Sequence, residues 1–423
     1  MDKSIWIVSA KRTPLGSFQG MLSDYSAPDL GKHAIRAAVD AAPVNPDTIS
    51  EVIMGCVLPA GCGQAPARQA ALGADLPYSV ACTTINKVCG SGMKSVMLAY
   101  DLIKANSIDT VVAGGMESMT NAPYLLKESR GGMRLGHKTT YDHMFLDGLQ
   151  DAYEGELMGT YAQTIADKLD ISREEMDEWA TQSVTRSREA GHQQLFQDEI
   201  VPLAIKGKSH SKTSDAPEQS LDFDEHPREI DLNKISSLRA AFSKNGSVTA
   251  ANSSSIADGA AALLIMDSEA AKKQGLKPLA IIKGHTTHAR VPNEFTIAPV
   301  FAIKQLLSEL DWSIDEVDLW EINEAFAVVT LIALKQLGLD KDKVNIKGGA
   351  CALGHPIGAS GARIIVTLIH ALRQLGDSKR KVLAESSDAT LESESEPTST
   401  FRGVASLCIG GGEATAIGIE VPY

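Results

Sequence analysis

Cys89 lies in Asn86-Lys87-Val88-Cys89-Gly90-Ser91-Gly92-Met93-Lys94, with an apolar run from Met93 to Ile103 behind it. That pattern puts a thiol at the mouth of a buried helix, where free N–H groups and the positive end of the helix dipole favour a thiolate. Glycines at 90 and 92 would let a substrate approach the backbone closely. His355 stands between Gly354 and Pro356, ahead of a second apolar run, Ala362 to Leu372. Such a loop fixes the direction of the ring and leaves it unshielded. Cys408 ends the strand-like run Gly403 to Leu407 and meets Gly410-Gly411-Gly412, whose backbone N–H groups can face a developing oxyanion. A lone CGSG is as often a structural turn, and a lone histidine is more often a satisfied core or surface residue. Together the three segments supply a nucleophile, a base for it and a second acid/base.

The elements that must position these groups repeat along the chain. Cys89 leads to a buried helix, then the strand Thr110 to Ala113, then Gly114-Gly115-Met116-Glu117. His355 leads to a helix, then the strand Gly403 to Leu407, then Gly410-Gly411-Gly412-Glu413. Strands alternating with helices in two similar halves predict an α/β fold with covered central sheets. Between the halves the texture changes: charged amphipathic stretches such as Ile171 to Glu189 alternate with polar turns such as Lys206 to Ser220. The stretch Glu385 to Thr400 is acidic and serine-rich, which predicts a disordered surface insertion. It enters before the strand Gly403 to Leu407 and Cys408 follows that strand, so the insertion is expected to be remote from the chemistry.

A chain of 423 residues is long enough for two or three domains. The net charge of −13 argues against a nucleic-acid partner, while leaving room for an anionic ligand on a local basic patch. The cysteines at 56, 62, 82, 89, 351 and 408 form no zinc-type spacing and fit free thiols in a reducing compartment. The chain opens directly into strand-like Ser4 to Ser9, without a signal core or Arg-rich leader, and no run approaches membrane-span length. Cytoplasmic residence is the expectation.

Taken together, Val88-Cys89-Gly90-Ser91-Gly92, Gly114-Gly115-Met116-Glu117-Ser118-Met119, Asn323-Glu324-Ala325-Phe326-Ala327, Gly354-His355-Pro356 and Cys408-Ile409-Gly410-Gly411-Gly412 resemble the thiolase family. The likeness runs from about Ile5 to the C-terminus and is closest to the short-chain members that act on acetyl-CoA. The resemblance implies two βαβαβαββ halves stacked as a five-layer α-β-α-β-α sandwich with an inserted loop domain. The halves are then residues 1–118 with 250–273, and 274–423, with a loop domain over 119–249 that covers the site and binds coenzyme A.

It also implies the chemistry. Cys89 would be acylated with help from His355, and Cys408 would take the α-proton of a second acetyl-CoA. Asn323 would carry a water that, with His355, holds the enolate. The N–H groups of Cys89 and Gly410 would hold the tetrahedral oxyanion. Glu324 is expected to support the site through hydrogen bonds, although Asn-Glu-Ala-Phe outside the family would read as a helix cap. Ser254 and Phe242 match positions of the coenzyme A groove; Arg228 and Arg239 are candidate phosphate contacts, although either alone reads more readily as a solvated charge. Met158 and Phe295 are expected beside the acyl group, favouring short chains. Three departures from the family pattern bear on these contacts: Ala251 and Ser255 stand where glycine is frequent, and Leu157 where histidine is.

No permanently bound cofactor and no metal is implied; coenzyme A thioesters are the substrates. The resemblance implies a homodimer formed through the first half, or a homotetramer in which the Lys127 to His137 region pairs two dimers. A broader-range 3-ketoacyl-CoA thiolase is the nearest alternative. A ketoacyl-carrier-protein synthase lacks the second thiol, and an inactive acyl-CoA-binding relative would not need all four catalytic positions intact.

Overall fold

Alternating burial along Ile5-Trp6-Ile7 forms β1 (Ile5–Arg12), and the computed structural model describes residues 3–206, 218–386 and 400–423. Strands β2 (Glu51–Gly55), β3 (Ala81–Ile85) and β4 (Thr110–Ser118) follow, separated by α1 (Ala27–Asp40), α2 (Pro66–Gly73) and α3 (Ser91–Lys104). Helix α1 begins where Ser26 and Asp29 cap each other's N–H groups, and it buries Leu30, Ala34, Ile35 and Ala38 at helical spacing. The chain then leaves the sheet for a long excursion holding α4 (Met158–Lys168), α5 (Arg173–His192) and α6 (His226–Glu229). It returns as β5 (Ala257–Asp267), buried on both faces.

The second half is β6 (Ala280–Ala289), α7 (Ala298–Leu310), β7 (Leu319–Ile322), α8 (Ala327–Leu337), α9 (Ser360–Ser386), β8 (Thr400–Ile409) and β9 (Glu413–Pro422). Strand order is β7-β8-β9-β6-β1-β5-β4-β2-β3. The repeat seen in the sequence becomes a repeat of topology. In the first half the third strand pairs with the second, the second with the fourth, then the fifth and the first. The second half follows the same path, with its third strand reduced to a single parallel bridge between Trp320 and Val344. The halves meet edge to edge, where Ile5, Trp6 and Ile7 pair with Ile282, Ile281 and Ala280.

Helices sort into three layers around these sheets. Helices α3 and α9 share one core with the inner faces of both halves, among them Met93, Val96, Ile365, Leu368, Leu263 and Leu407. Helices α1 and α2 cover the outer face of the first half. Helices α7 and α8 cover that of the second. This is the five-layer arrangement. Each fully buried aliphatic side chain in such a core contributes roughly 1.5–3 kcal/mol.

The central layer also corrects the reading of the glycines. A Cβ on Gly92 would sit 2.8 Å from the Ala362 nitrogen and 3.0 Å from the Ala359 and Gly358 carbonyl oxygens. One on Gly90 would collide with Ile409. These glycines admit the other half of the molecule rather than the substrate.

Two further boundaries move. Helix α9 extends to Ser386, beyond the expected Leu372. Cys408 lies inside β8 rather than after it, because Cys408 and Ile409 still pair with Ala414 and Glu413 of β9. Residues 387–399 and 207–217 lie outside the described residues, so the expected disorder within Glu385 to Thr400 and the turns within Lys206 to Ser220 fall largely there.

The excursion is fastened to both halves by buried charge. Arg12 of β1 donates from Nε to Glu199 (2.7 Å) and from Nη1 and Nη2 to Asp224 (2.7 and 2.9 Å). Lys347 approaches Glu199 at 3.7 Å. All four are buried. Removing one partner of such a pair typically costs about 3–5 kcal/mol.

Candidate active site

Cys89 sits on a strained turn. Val88 has φ +46°, in the left-handed region that a β-branched residue rarely adopts. The turn is held from both sides. The Gly90 and Ser91 N–H groups donate to the Lys87 and Val88 carbonyls (3.0 Å each). Ser91 Oγ accepts from the Lys87 N–H (2.8 Å) and donates to the Val88 carbonyl (2.6 Å). A conformation of this kind costs about 1–3 kcal/mol and persists where its surroundings over-determine it. The turn places Cys89 on the wall of a cavity of about 590 Å³, which His355, Cys408 and Gly410 also line.

His355 is oriented by three contacts. Its N–H donates to the Ser255 carbonyl (2.9 Å), its Nδ1 lies 2.6 Å from Ser360 Oγ, and its Nε2 lies 3.4 Å from Asn323 Nδ2. Asn323 Nδ2 can only donate, so Nε2 accepts and the ring proton stands on Nδ1. That proton goes to Ser360 Oγ, whose own hydrogen goes to the Pro356 carbonyl (3.0 Å). The unprotonated Nε2 therefore faces the cavity side. Burial, then the nearby Arg363 charge, lowers the imidazole to about 3, so it is neutral at ordinary pH. His355 is 5% exposed, which corrects the expectation of an unshielded histidine: the loop presents it to the cavity, not to solvent.

Both thiols are held protonated. Cys89 is partly exposed at the cavity surface, yet burial pushes its thiol up to about 11. Hydrogen bonds from the Gly410 and Cys89 N–H groups oppose that rise without cancelling it. The helix mouth is where the sequence placed it, yet desolvation outweighs the dipole. Cys408 is buried and raised well above an ordinary thiol by burial and then by a charge on Cys89.

Two buried carboxylates bind the catalytic segments together, and only one was anticipated. Glu324 accepts from Trp179 Nε1 (3.0 Å), Ser183 Oγ (2.8 Å), Asn345 Nδ2 (2.8 Å) and the Cys351 N–H (3.0 Å). It thus fixes the Asn323 segment to α5 and to the stretch before His355. Glu117 accepts from the N–H groups of Val57 (3.0 Å), Leu58 (3.1 Å) and Gly358 (2.9 Å). It clamps the loop after His355 to the first half, and burial raises its carboxyl to about 7. An acid between a glycine-rich strand and Ser118-Met119 was the available signal for it. Ser360 had no signal, because a serine opening an apolar helix reads as a cap.

Ser254, Phe242, Met158, Leu157 and Phe295 line the same cavity as Cys89. Phe326, which the sequence reading passed over as part of a motif, is their hub. Phe242 and Phe295 meet it edge-on, with centroids 6.1 and 6.2 Å away. Gly159 is required there, because a Cβ would enter the Phe242 ring. Ser255, at a departure position, bonds His226 Nε2 through its hydroxyl. Ala251 donates its N–H to Thr249 Oγ1 (3.2 Å).

Arg228 is not brought to this cavity. On α6, His226 and Glu229 share the face that lines it, while Pro227 and Arg228 line a separate cavity behind. Arg239 is exposed and lines neither. Among the described residues no His/Cys/Asp/Glu cluster is poised to hold a metal ion, and no helix is long and apolar enough to cross a membrane.

Comparisons with known proteins agree with this geometry. The family model described as thiolase, N-terminal domain, matches residues 5–269, and that described as thiolase, C-terminal domain, matches residues 276–387. Acetyl-CoA acetyltransferase 1 of Arabidopsis thaliana is 46% identical over 419 residues, covering 99% of this chain and 94% of its own. The crystal structure of the Bacillus anthracis acetyl-CoA acetyltransferase superposes with a TM-score of 0.89 at 39% identity, covering 99% of both chains. A thiolase from Ascaris suum solved in complex with coenzyme A gives 0.87 at 38% identity, covering 99% of this chain and 100% of that one.

Proposed function

This chain belongs to the thiolase family, and from that premise we propose that it is an acetyl-CoA acetyltransferase, condensing two acetyl-CoA to acetoacetyl-CoA and coenzyme A through an acyl-Cys89 intermediate. The observation that carries the reading is the convergence of Cys89, His355, Cys408 and Gly410 on one cavity, with Asn323 on Nε2 of His355.

The steps balance with these residues alone. His355 Nε2 takes the Cys89 proton as the sulfur attacks the thioester carbonyl. The departing coenzyme A thiolate takes the proton of Cys408. The Cys408 thiolate then takes the α-proton of the second acetyl-CoA. Protonated His355 and a water on Asn323 hold the enolate oxygen; Asn323 Oδ1 is buried with no partner among the described residues, which suits that water. The enolate attacks acyl-Cys89, the Cys89 and Gly410 N–H groups hold the oxyanion, and Cys89 leaves to recover its proton from His355. Pre-aimed donors of this kind contribute a factor of about 100–1000 each.

Phe295, Phe326 and Met158 support short acyl groups by filling the cavity beside the nucleophile. Thiolysis of acetoacetyl-CoA should exceed that of 3-ketooctanoyl-CoA by roughly 10–100-fold in kcat/KM, the effect of overpacking a rigid site. Equal rates would move the assignment to a broad-range 3-ketoacyl-CoA thiolase. Self-association belongs to the same proposal. β3 closes the sheet with one edge unpaired and a half-exposed face, and the exposed Leu126 and Leu135 lie between Tyr124–Leu125 and Tyr141–Asp142. These suit a homodimer or a homotetramer. Cytoplasmic residence is part of it too, supported by six free cysteines. So is a division at residues 119–249, the excursion that carries Leu157, Met158 and Phe242 to the cavity.

A further inference from the structure

Cys56 and Cys62 are a pair of thiols outside the catalytic cavity. Cys56 follows the last residue of β2, and the chain then folds back on itself. Gly61 and Gly63 adopt φ +81° and +82°, and the Cys62 N–H donates to the Pro59 carbonyl (3.1 Å). The fold-back brings the two thiols into hydrogen-bond contact. Cys56 is buried, and its one thiol hydrogen is offered to both Cys62 and Glu117 Oε1 (3.8 Å). Cys62 is half-exposed between the exposed Gly61 and Gly63, where a small oxidant can reach it. The hydrogen bond from Cys56 lowers the Cys62 thiol to about 7 against the opposing effect of burial, so a large share is thiolate at neutral pH. The other five cysteines are all raised, four of them by burial first and Cys56 by the hydrogen bond it gives. An accessible thiolate with a second thiol at hand is the setting in which oxidation resolves to a disulfide.

We propose that this pair is a modification site for hydroperoxides, closing to a Cys56–Cys62 disulfide that slows turnover. The Cys62 thiolate attacks the hydroperoxide, whose O–O bond breaks. Cys62 becomes a sulfenic acid, and the departing alkoxide takes up a proton to leave as an alcohol. Cys56 then attacks the sulfenic sulfur, the S–O bond breaks, and hydroxide leaves with the Cys56 proton as water. Two thiols and one hydroperoxide thus give one disulfide, one alcohol and one water. In a reducing compartment such a bond is transient, because thiol reductants reopen it. Its effect reaches the catalytic loops through the residues beside Cys56. The disulfide removes the hydrogen that Cys56 offers Glu117, whose other partners are the Val57, Leu58 and Gly358 N–H groups. The Val57 carbonyl accepts from Asn86 Nδ2 (3.4 Å), and Asn86 Oδ1 accepts from the Val88 N–H (2.9 Å) in the turn that holds Cys89. Val57, Leu58 and Ile357 belong to one apolar cluster against which Cys89 packs. Drawing the two sulfurs to a bonding distance of about 2.05 Å therefore shifts both the wall beside Cys89 and the clamp on the His355 loop.

Titration with hydrogen peroxide from equimolar upward tests this, with free thiols then blocked by iodoacetamide and the protein digested with trypsin without reductant. Cys56 and Cys62 are the only cysteines of the tryptic peptide 37–68. Their disulfide is therefore read as that peptide two hydrogens lighter and free of label. The expected result is that this species forms before Cys89 or Cys408 is oxidised, while thiolysis falls by about tenfold or more. Dithiothreitol should restore both peptide and turnover. Cys62→Ser should keep untreated turnover within about twofold and should retain it at the same peroxide dose. In Cys56→Ser, whose hydroxyl can still donate to Glu117, oxidation should halt at a Cys62 sulfenic acid that dimedone captures. Oxidation of Cys89 or Cys408 ahead of peptide 37–68 would overturn the proposal. So would a disulfide that leaves turnover unchanged, inhibition that persists in Cys62→Ser, or Cys62 unlabelled by dimedone in Cys56→Ser. The peptide is read independently of the reaction proposed above, whose own failure would show as an untreated protein without thiolysis.

Discussion

Ser360 and Val88 show how single residues prepare this site. Ser360 chooses the tautomer of His355, and Val88 holds a strained dihedral in the turn that places Cys89 on the cavity wall. The thiol so presented is not ionised in advance. Its value of about 11 means that Cys89 is protonated at neutral pH, and in the proposed reaction each acylation begins with proton transfer to His355. Cys62 is the contrast: a hydrogen bond from Cys56 holds its half-exposed thiol below the ordinary range. Iodoacetamide at pH 7.5, followed residue by residue by mass spectrometry, should therefore label Cys62 before Cys89. Labelling of Cys89 should rise about tenfold per pH unit from 7 to 9, because the thiolate fraction grows that way below its midpoint. A plateau in that range would mean that the helix mouth, not burial, sets the thiol.

At the level of elements, the site depends on how closely α3 and α9 approach. Gly92 and Gly361 face one another's helices with no room for a methyl group, and each helix starts at a catalytic loop. Gly92→Ala would force backbone against backbone, where no flexible side chain can yield. A loss of about 1–3 kcal/mol in urea unfolding is expected, together with a fall in kcat, since the Cys89 and His355 loops separate as the helices do. Unchanged stability and turnover would show that the two halves are not registered through this contact. The carboxylates Glu117 and Glu324 do the same work nearer the chemistry, each tying a loop of one region to the backbone of another.

For the whole molecule, the repeat of the strand order explains why catalytic groups from both halves meet: each half delivers its loop to the same end of the central helix layer. The described chain resumes at Thr400, at the opposite end. Thr400 opens β8 and Cys408 lies near its close, which at about 3.3 Å per residue separates them by roughly 26 Å. Replacing residues 387–399 by a short glycine-containing joint should leave turnover within about twofold, the span of an ordinary surface change. A large fall with circular dichroism unchanged would place that segment at the site or at a subunit contact. The fold and the segments that converge on the cavity were legible in the sequence, because glycine-flanked thiols, a loop histidine and alternating strands leave local marks. What was not legible depends on contacts made across the chain. The glycines at 90 and 92 face Ile409 and α9 rather than substrate, the thiol is raised by surroundings gathered from both halves, and Arg228 turns to the far side of α6. Phe326 and Glu117 matter through neighbours that no local spacing reveals.

The most direct test of the central claim is mass spectrometry of the intact protein after mixing with acetyl-CoA. The account predicts one acetyl group on Cys89 in the natural protein and in Cys408→Ala, which should accumulate it without forming acetoacetyl-CoA. It predicts no adduct in Cys89→Ala. An adduct of unchanged yield in Cys89→Ala would contradict it.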